Sequence, residues 1–245
     1  MINPKQSRAY HKIQLYRLLT KLIDDREIIP NISFKGGTCS SMLGFLDRFS
    51  VDLDFDLNKN SNKEKIRNKL YLIFKELNLT IKDESKKALQ FFLKYEASPG
   101  QRNTIKLEII DNPFRSIDYK PQYFKEIDRT IICQTIESMF SNKLVALTDR
   151  FKKRKTIAGR DVYDIHYFFS RGYNYKKQII KERTKKEPVE YLKELKDFVE
   201  KRITQKIINQ DLNLLLSDNK FQIIRKTLKT EVLMLINDEI KRILS

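Results

Sequence analysis

Phe34-Lys35-Gly36-Gly37-Thr38, followed by Arg48-Phe49-Ser50-Val51-Asp52-Leu53-Asp54-Phe55, decides how the rest of the chain is read. Ile32-Ser33-Phe34 reads as a short strand, Gly36-Gly37 breaks it, and Thr38 opens a short helix to about Leu43. Residues 51–57 alternate apolar and acidic, so a second strand is expected there. Alternate residues of a strand share a face, which sets the Asp52 and Asp54 carboxylates side by side. Asp56 continues the alternation nearer the strand end, while Phe49, Val51, Leu53 and Phe55 anchor the opposite face. Two adjacent carboxylates repel, and burying both without a cation is costly. Oxygen ligands of this kind suit Mg²⁺, which keeps waters and shares substrate phosphates. A glycine pair between strand and helix lets the backbone approach a phosphate, and the helix start offers amide donors. The hydroxyl of Thr38, or of Ser40 or Ser41, can add a hydrogen bond. No Walker A loop is present. A glycine pair alone is commonly a tight turn, and alternating acids alone are commonly a solvated strand edge. The two at this separation are far more specific.

Outward from this stretch, periodicity predicts a helix over 10–25 and another over 61–77, the latter with Ser61 and Glu64 as a capping box. Residues 79–82, 89–96, 103–110 and 129–133 read as strands. Ser98-Pro99-Gly100 turns a hairpin between the fourth and fifth of the chain's predicted strands. After about Thr135 the pattern is helical only: 136–151, 161–170, 175–183, 189–203 and 221–244. The expected fold is therefore α+β. A mixed sheet with flanking helices occupies 1–135, and a helical bundle over 136–245 completes a cleft. Lys185-Lys186-Glu187-Pro188 reads as a mobile link.

The chain of 245 residues is 40% hydrophobic, enough for a core, and its 6 Gly and 6 Pro exclude low-complexity classes. No apolar run is long enough to span a membrane, and Met1–Ser7 has no apolar signal core, so a cytoplasmic setting is expected. Two cysteines, Cys39 and Cys133, make no disulfide framework, and two histidines, His11 and His166, make no His-rich zinc site. Forty-nine basic against 32 acidic residues give a net charge of +17. Residues 150–187 hold 13 basic and 4 acidic residues, a concentration that favours a polyanion.

Three further clusters carry candidate chemistry. Lys106-Leu107-Glu108 offers a third carboxylate on a neighbouring strand, with Lys106 on the same face and Asp111 as the alternative. Lys143, Leu147 and Arg150 share a helix face, so a long cation can point into a cleft or lie along the surface to water. Asp161 and Asp164 share a face at the start of the next helix, after Arg160, where acids also serve as simple caps.

Taken in order, Gly36-Gly37-Thr38, Arg48-x-Ser50-x-Asp52-x-Asp54-Phe55, Lys106-x-Glu108, Lys143-x-x-Ala146-x-x-x-Arg150 and Arg160-Asp161-x-Tyr163-Asp164 resemble the AbiEii/AbiGii toxin family. That family belongs to the DNA polymerase β-like, minimal nucleotidyltransferase superfamily. The resemblance covers about residues 30–170. Cys39 stands where a small residue is usual, and Glu108 where aspartate is common. The resemblance implies Mg²⁺-dependent transfer of a nucleoside monophosphate from an NTP to an acceptor hydroxyl. By the same token Asp52 and Asp54 hold the metal, and Glu108 completes the metal site or acts as base. Gly36, Gly37 and Thr38 embrace the triphosphate, Lys143 neutralises its charge, and Asp161 orients Lys143 or another cation. Arg48, beside Ser50, contacts phosphate or pairs with Asp52. The family is linked to toxin–antitoxin systems and abortive phage resistance. Some relatives modify the 3′ end of tRNA, and the cognate antitoxin, encoded adjacently, need not bind the toxin tightly. The basic stretch fits an RNA acceptor, tRNA first. The alternatives are a small-molecule or protein acceptor, a non-catalytic RNA-binding protein, and a metal-dependent nuclease.

Overall fold

A computed structural model describes residues 4–111 and 113–245. The chain divides into two compact units. The first holds the described residues through Gly44, those of Phe49–Pro113, and Tyr119–Gln134; the second holds Phe45–Arg48, Phe114–Asp118 and Thr135–Ser245. Two short segments of the first half therefore group with the helices.

The first unit runs α1 (Pro4–Asp24), β1 (Ile32–Lys35), α2 (Gly36–Met42), β2 (Asp52–Leu57), α3 (Lys63–Glu76), β3 (Thr80–Glu84), β4 (Leu89–Lys94), β5 (Thr104–Ile110), β6 (Tyr119–Phe124) and β7 (Arg129–Gln134). Its strands form one mixed seven-stranded sheet in the order β3-β4-β5-β2-β1-β7-β6. β2 pairs antiparallel with β1 and parallel with β5. The predicted hairpin is present as β4 and β5, in register from Leu89↔Ile109 to Lys94↔Thr104.

Register sorts the side chains into two faces. Phe34 pairs with Phe55, Leu53 with Leu107, and Phe91 with Leu107, so these residues line one face. All are fully buried, at roughly 1.5–3 kcal/mol of transfer free energy per large side chain. On this face Phe34 stacks on Phe55 with centroids 5.0 Å apart, and Phe74 of α3 meets Phe91 edge-on at 5.1 Å. The opposite face carries Lys35, Asp52, Asp54, Asp56, Lys106, Glu108 and Gln90, all in mutual register. One side of the sheet is thus core and the other is polar.

Some expectations change in detail. The cap of α3 is Asn62, whose side chain accepts from the Lys65 amide at 2.9 Å, not Ser61 with Glu64. The strand β6 is absent from the sequence-based prediction, because Pro121 removes a ladder donor and only Phe124 is buried. It pairs with β7 alone, at the sheet's edge.

The second unit comprises α4 (Ile136–Arg154), α5 (Gly159–Ser170), α6 (Lys177–Thr184), α7 (Pro188–Arg202), α8 (Gln205–Leu212) and α9 (Asp218–Leu244). Its core joins Phe140, Leu144 and Leu147 of α4, Val162 and Phe168 of α5, Leu195 of α7 and Leu228, Val232 and Ile236 of α9. The 185–188 junction is a tight turn. Lys185 takes a left-handed conformation at φ 61°, Pro188 starts α7, and Lys186 pairs with Glu190 and Glu194.

Candidate active site

The turn from β1 into α2 has no intervening loop. Lys35 is extended and Gly36 takes φ +81°, a backbone state that side chains resist. A Cβ on Gly36 would meet the Asp54 Oδ2 atom at 2.5 Å and its Cβ at 3.0 Å. The Asp54 carboxylate therefore lies directly over the glycine bend.

Asp52 and Asp54 share the polar face, beside Lys106 and Glu108 of β5. Burial pushes the Asp54 carboxyl up to about 6, and the charges of Asp52 and Glu108 add to this; Lys106 and Lys35 pull the other way. This is an acid pair with too little positive charge around it. Two carboxylates of this kind fit Mg²⁺, which needs only one or two from protein when phosphates and waters supply the rest. Among the described residues no three His, Cys, Asp or Glu side chains converge as a metal cage.

Glu108 is engaged elsewhere. It accepts from Lys106 Nζ at 2.5 Å and from Gln90 Nε2 at 2.6 Å. Burial favours its neutral form, but these donors outweigh that and hold its carboxyl below the usual range. Asp56 is closed off more completely. It is buried and accepts from Lys35 Nζ (2.5 Å), Tyr119 Oη (2.7 Å) and Gln134 Nε2 (2.5 Å). Asp56 thus fixes the Lys35 ammonium instead of facing a ligand.

Thr38 is buried, with its hydroxyl on the Asp52 carbonyl and 2.9 Å from Ser50 Oγ. It ties α2 to the start of β2, so Gly36 and Gly37 are what the turn offers to a phosphate.

The second unit holds the other sequence candidates in one ion-pair ladder. Arg48 makes a two-pronged pair with Asp164, at 2.5 and 2.7 Å. Asp164 is thus its buried acid partner within the helical unit. Lys143 Nζ bridges Asp164 Oδ2 at 2.8 Å and Asp161 Oδ1 at 3.0 Å. Arg150 closes the ladder on Asp161 Oδ2 at 3.2 Å. Burial opposes ionisation of Asp164, yet Arg48 and Lys143 hold its carboxyl down to about 2. Burial likewise opposes charge on Lys143, and Asp161 and Asp164 overcome it, raising its pKa. Three cations face two carboxylates, leaving one surplus positive charge. The Arg48 side chain is 3% exposed, against 19% for Lys143 and 32% for Arg150, so the last two are the ones that can meet a ligand.

The structure brings Gly36 and Asp54 together, and separately Arg48, Lys143, Asp161 and Asp164. Sequence reasoning grouped Asp164 with Asp161 as a candidate cluster, with simple capping as the alternative, but gave it no role of its own. Its spacing from Asp161 was visible, but the partner more than a hundred positions away was not.

The family model described as "Nucleotidyl transferase AbiEii toxin, Type IV TA system" matches residues 17–229. Among solved structures, a protein described as a nucleotidyltransferase from H. pylori superposes with TM-score 0.57 at 21% identity, covering 96% of each chain. The nucleotidyltransferase toxin MenT4 of Mycobacterium tuberculosis H37Rv superposes with TM-score 0.54 at 14% identity, covering 98% of this chain and 88% of that one. Both share the fold. No curated protein matches the chain.

Proposed function

The chain belongs to the AbiEii nucleotidyltransferase toxin family, and from that premise we propose that it transfers a nucleoside monophosphate from an NTP to the 3′ end of an RNA, with tRNA the leading acceptor. The observation that carries the reading is the Asp54 carboxylate lying over Gly36, beside Asp52. In-line displacement at phosphorus draws on positioning and charge neutralisation more than on covalent help. Bound Mg²⁺ would supply that neutralisation at the triphosphate, with Asp52 and Asp54 as the residues that hold it. Gly36 and Gly37 admit the phosphates to the backbone, since no side chain stands in the way. Lys35 is held on Asp56 and keeps a positive charge on the same face. Within the helical unit, Lys143 is the residue to which this reading gives neutralisation of phosphate charge.

Glu108 is a poor general base in this reading, because two donors hold its proton affinity low. Its part is to fix Lys106 beside Asp52. An RNA acceptor is favoured by the exposed cations Lys152, Lys153, Arg154, Lys155, Arg171, Lys177, Lys181 and Lys185, a surface that a small acceptor does not need. A cognate antitoxin encoded next to this gene is the expected partner of the system. Among the described residues no helix is long and apolar enough to cross a membrane.

The test is to incubate the protein with Mg²⁺, each labelled NTP and total tRNA. Label should enter RNA with at least one NTP and be absent with Asp54→Ala. Absence of label with every NTP overturns the RNA reading, and label in a small molecule or protein redirects the acceptor.

A further inference from the structure

We propose that His11 is a positioning residue for Asp52, acting through the backbone carbonyl of Val51. The inference rests on the reading above that Asp52 and Asp54 form a metal-binding pair.

Val51 precedes the ladder of β2, since pairing with β5 begins at Asp52↔Lys106 and pairing with β1 reaches only Asp54. Something other than the sheet must fix the backbone just before Asp52. His11 of α1 does so, with Nε2 3.0 Å from the Val51 carbonyl oxygen. From the following peptide, the Asp52 carbonyl takes the Thr38 hydroxyl. The peptides on both sides of the Asp52 Cα are therefore held, leaving mainly side-chain torsions free.

The imidazole is itself held on its other edge. His11 is wholly buried, its Nδ1 lies 2.6 Å from Tyr95 Oη, and that hydroxyl lies 2.7 Å from the Arg102 carbonyl. Phe49 meets the ring edge-on at 5.8 Å. A carbonyl only accepts, so Nε2 must carry a proton for Val51. Burial drives the ring toward its neutral form, down to about 4, with Arg102 adding to this and the Val51 bond and Asp52 opposing it. In the neutral ring Nδ1 carries no proton, and the one proton of the Tyr95 hydroxyl is shared between Nδ1 and the Arg102 carbonyl, both of which can only accept it. The result is a relay of contacts from the β4–β5 hairpin through α1 to the backbone beneath the acid pair. An apolar residue would fill the same buried volume, so the polar ring is there for its donor.

The test is direct Mn²⁺ binding to the full chain, without nucleotide, followed by electron paramagnetic resonance of the free ion. Asp54→Ala should abolish binding. His11→Leu should weaken it by about tenfold, the usual scale for a residue that orients a metal ligand. His11→Gln presents an amide N–H at the reach of Nε2, and should restore binding close to wild type. Tyr95→Phe keeps the ring but frees the imidazole, and should weaken binding by about threefold even if His11→Leu does not fold. Wild-type Mn²⁺ affinity in His11→Leu and Tyr95→Phe, with binding lost in Asp54→Ala, overturns the role of His11 alone. Equal weakening in His11→Gln and His11→Leu overturns it too. Unchanged binding in Asp54→Ala overturns the metal reading of the acid pair and the inference with it.

Discussion

Oδ2 of Asp54 sits 2.5 Å from where a Cβ on Gly36 would project. Gly36 is thus constrained twice, by its positive φ and by the carboxylate above it. Gly44 supplies the comparison, because it also has positive φ, +76°, but has nothing within 4 Å of its would-be Cβ. Both Gly36→Ala and Gly44→Ala should cost about 1–2 kcal/mol for the left-handed backbone. Only Gly36→Ala should abolish nucleotide transfer, by displacing Asp54. Parallel thermal melts and labelled-NTP assays separate the two effects. Equal activity in both variants would remove the close approach from the mechanism.

Asp54 makes the stability of the metal-free protein depend on pH. Its carboxyl rises from about 3.8 to about 6 on folding, so the folded state holds a proton that the unfolded state has already lost. Stability should therefore fall as pH rises from about 4 to 6, and stay lowered above that. Asp54→Asn removes the penalty and should stabilise the protein at pH 7.5 by about 1–2 kcal/mol, discounted for partial exposure. Millimolar Mg²⁺ should raise the melting temperature of the wild type and not of Asp54→Asn. A variant that melts lower than wild type without metal contradicts the charge argument.

The ion-pair ladder predicts unequal losses. Asp164→Ala leaves Arg48 and Lys143 without their shared acceptor, one of them almost fully buried, and should cost about 3–5 kcal/mol. Lys143→Ala leaves Arg48 on Asp164 and Arg150 on Asp161, so both acids keep a partner. It should cost about 1 kcal/mol while abolishing transfer. Because the Asp164 pKa is depressed, its contribution is present above about pH 4 and lost as pH falls toward 2. Urea titration of both variants at pH 7 checks the order. Equal destabilisation would mean that Lys143 is structural.

The fold was legible in the sequence where period and punctuation agree. Alternation over β2 and the Gly36-Gly37 break fixed the strand, the turn and the shared face of Asp52 and Asp54, because these depend on neighbours only. The strand β6 was not legible, since Lys120, Pro121 and Gln122 interrupt it and an edge strand needs little burial. Nor was α8, eight residues in which only Ile208 and Leu212 are buried. At the site, identity was visible and partnership was not. Arg48 finds Asp164, and His11 finds Tyr95, through pairings set by tertiary structure across 116 and 84 positions. Glu108 read as a free carboxylate until Gln90, its register partner across the hairpin, was in place.

The exposed cations at the end of α4 give a prediction about RNA. Lys152, Lys153 and Arg154 lie in the last turn of that helix and are exposed, so each can reach a phosphate without disturbing the core. Binding through phosphates releases counterions, and the logarithm of affinity falls linearly with the logarithm of salt concentration. The triple substitution to glutamine should weaken tRNA binding at low salt and make the salt slope shallower by about one for each lost contact. The effect should be nearly independent of RNA sequence, because phosphate contacts position without reading bases. Filter binding at several salt concentrations, with tRNA and an unrelated RNA of equal length, measures both quantities. An unaltered slope would assign the acceptor surface to other residues, with Arg171, Lys177 and Lys181 the next to substitute.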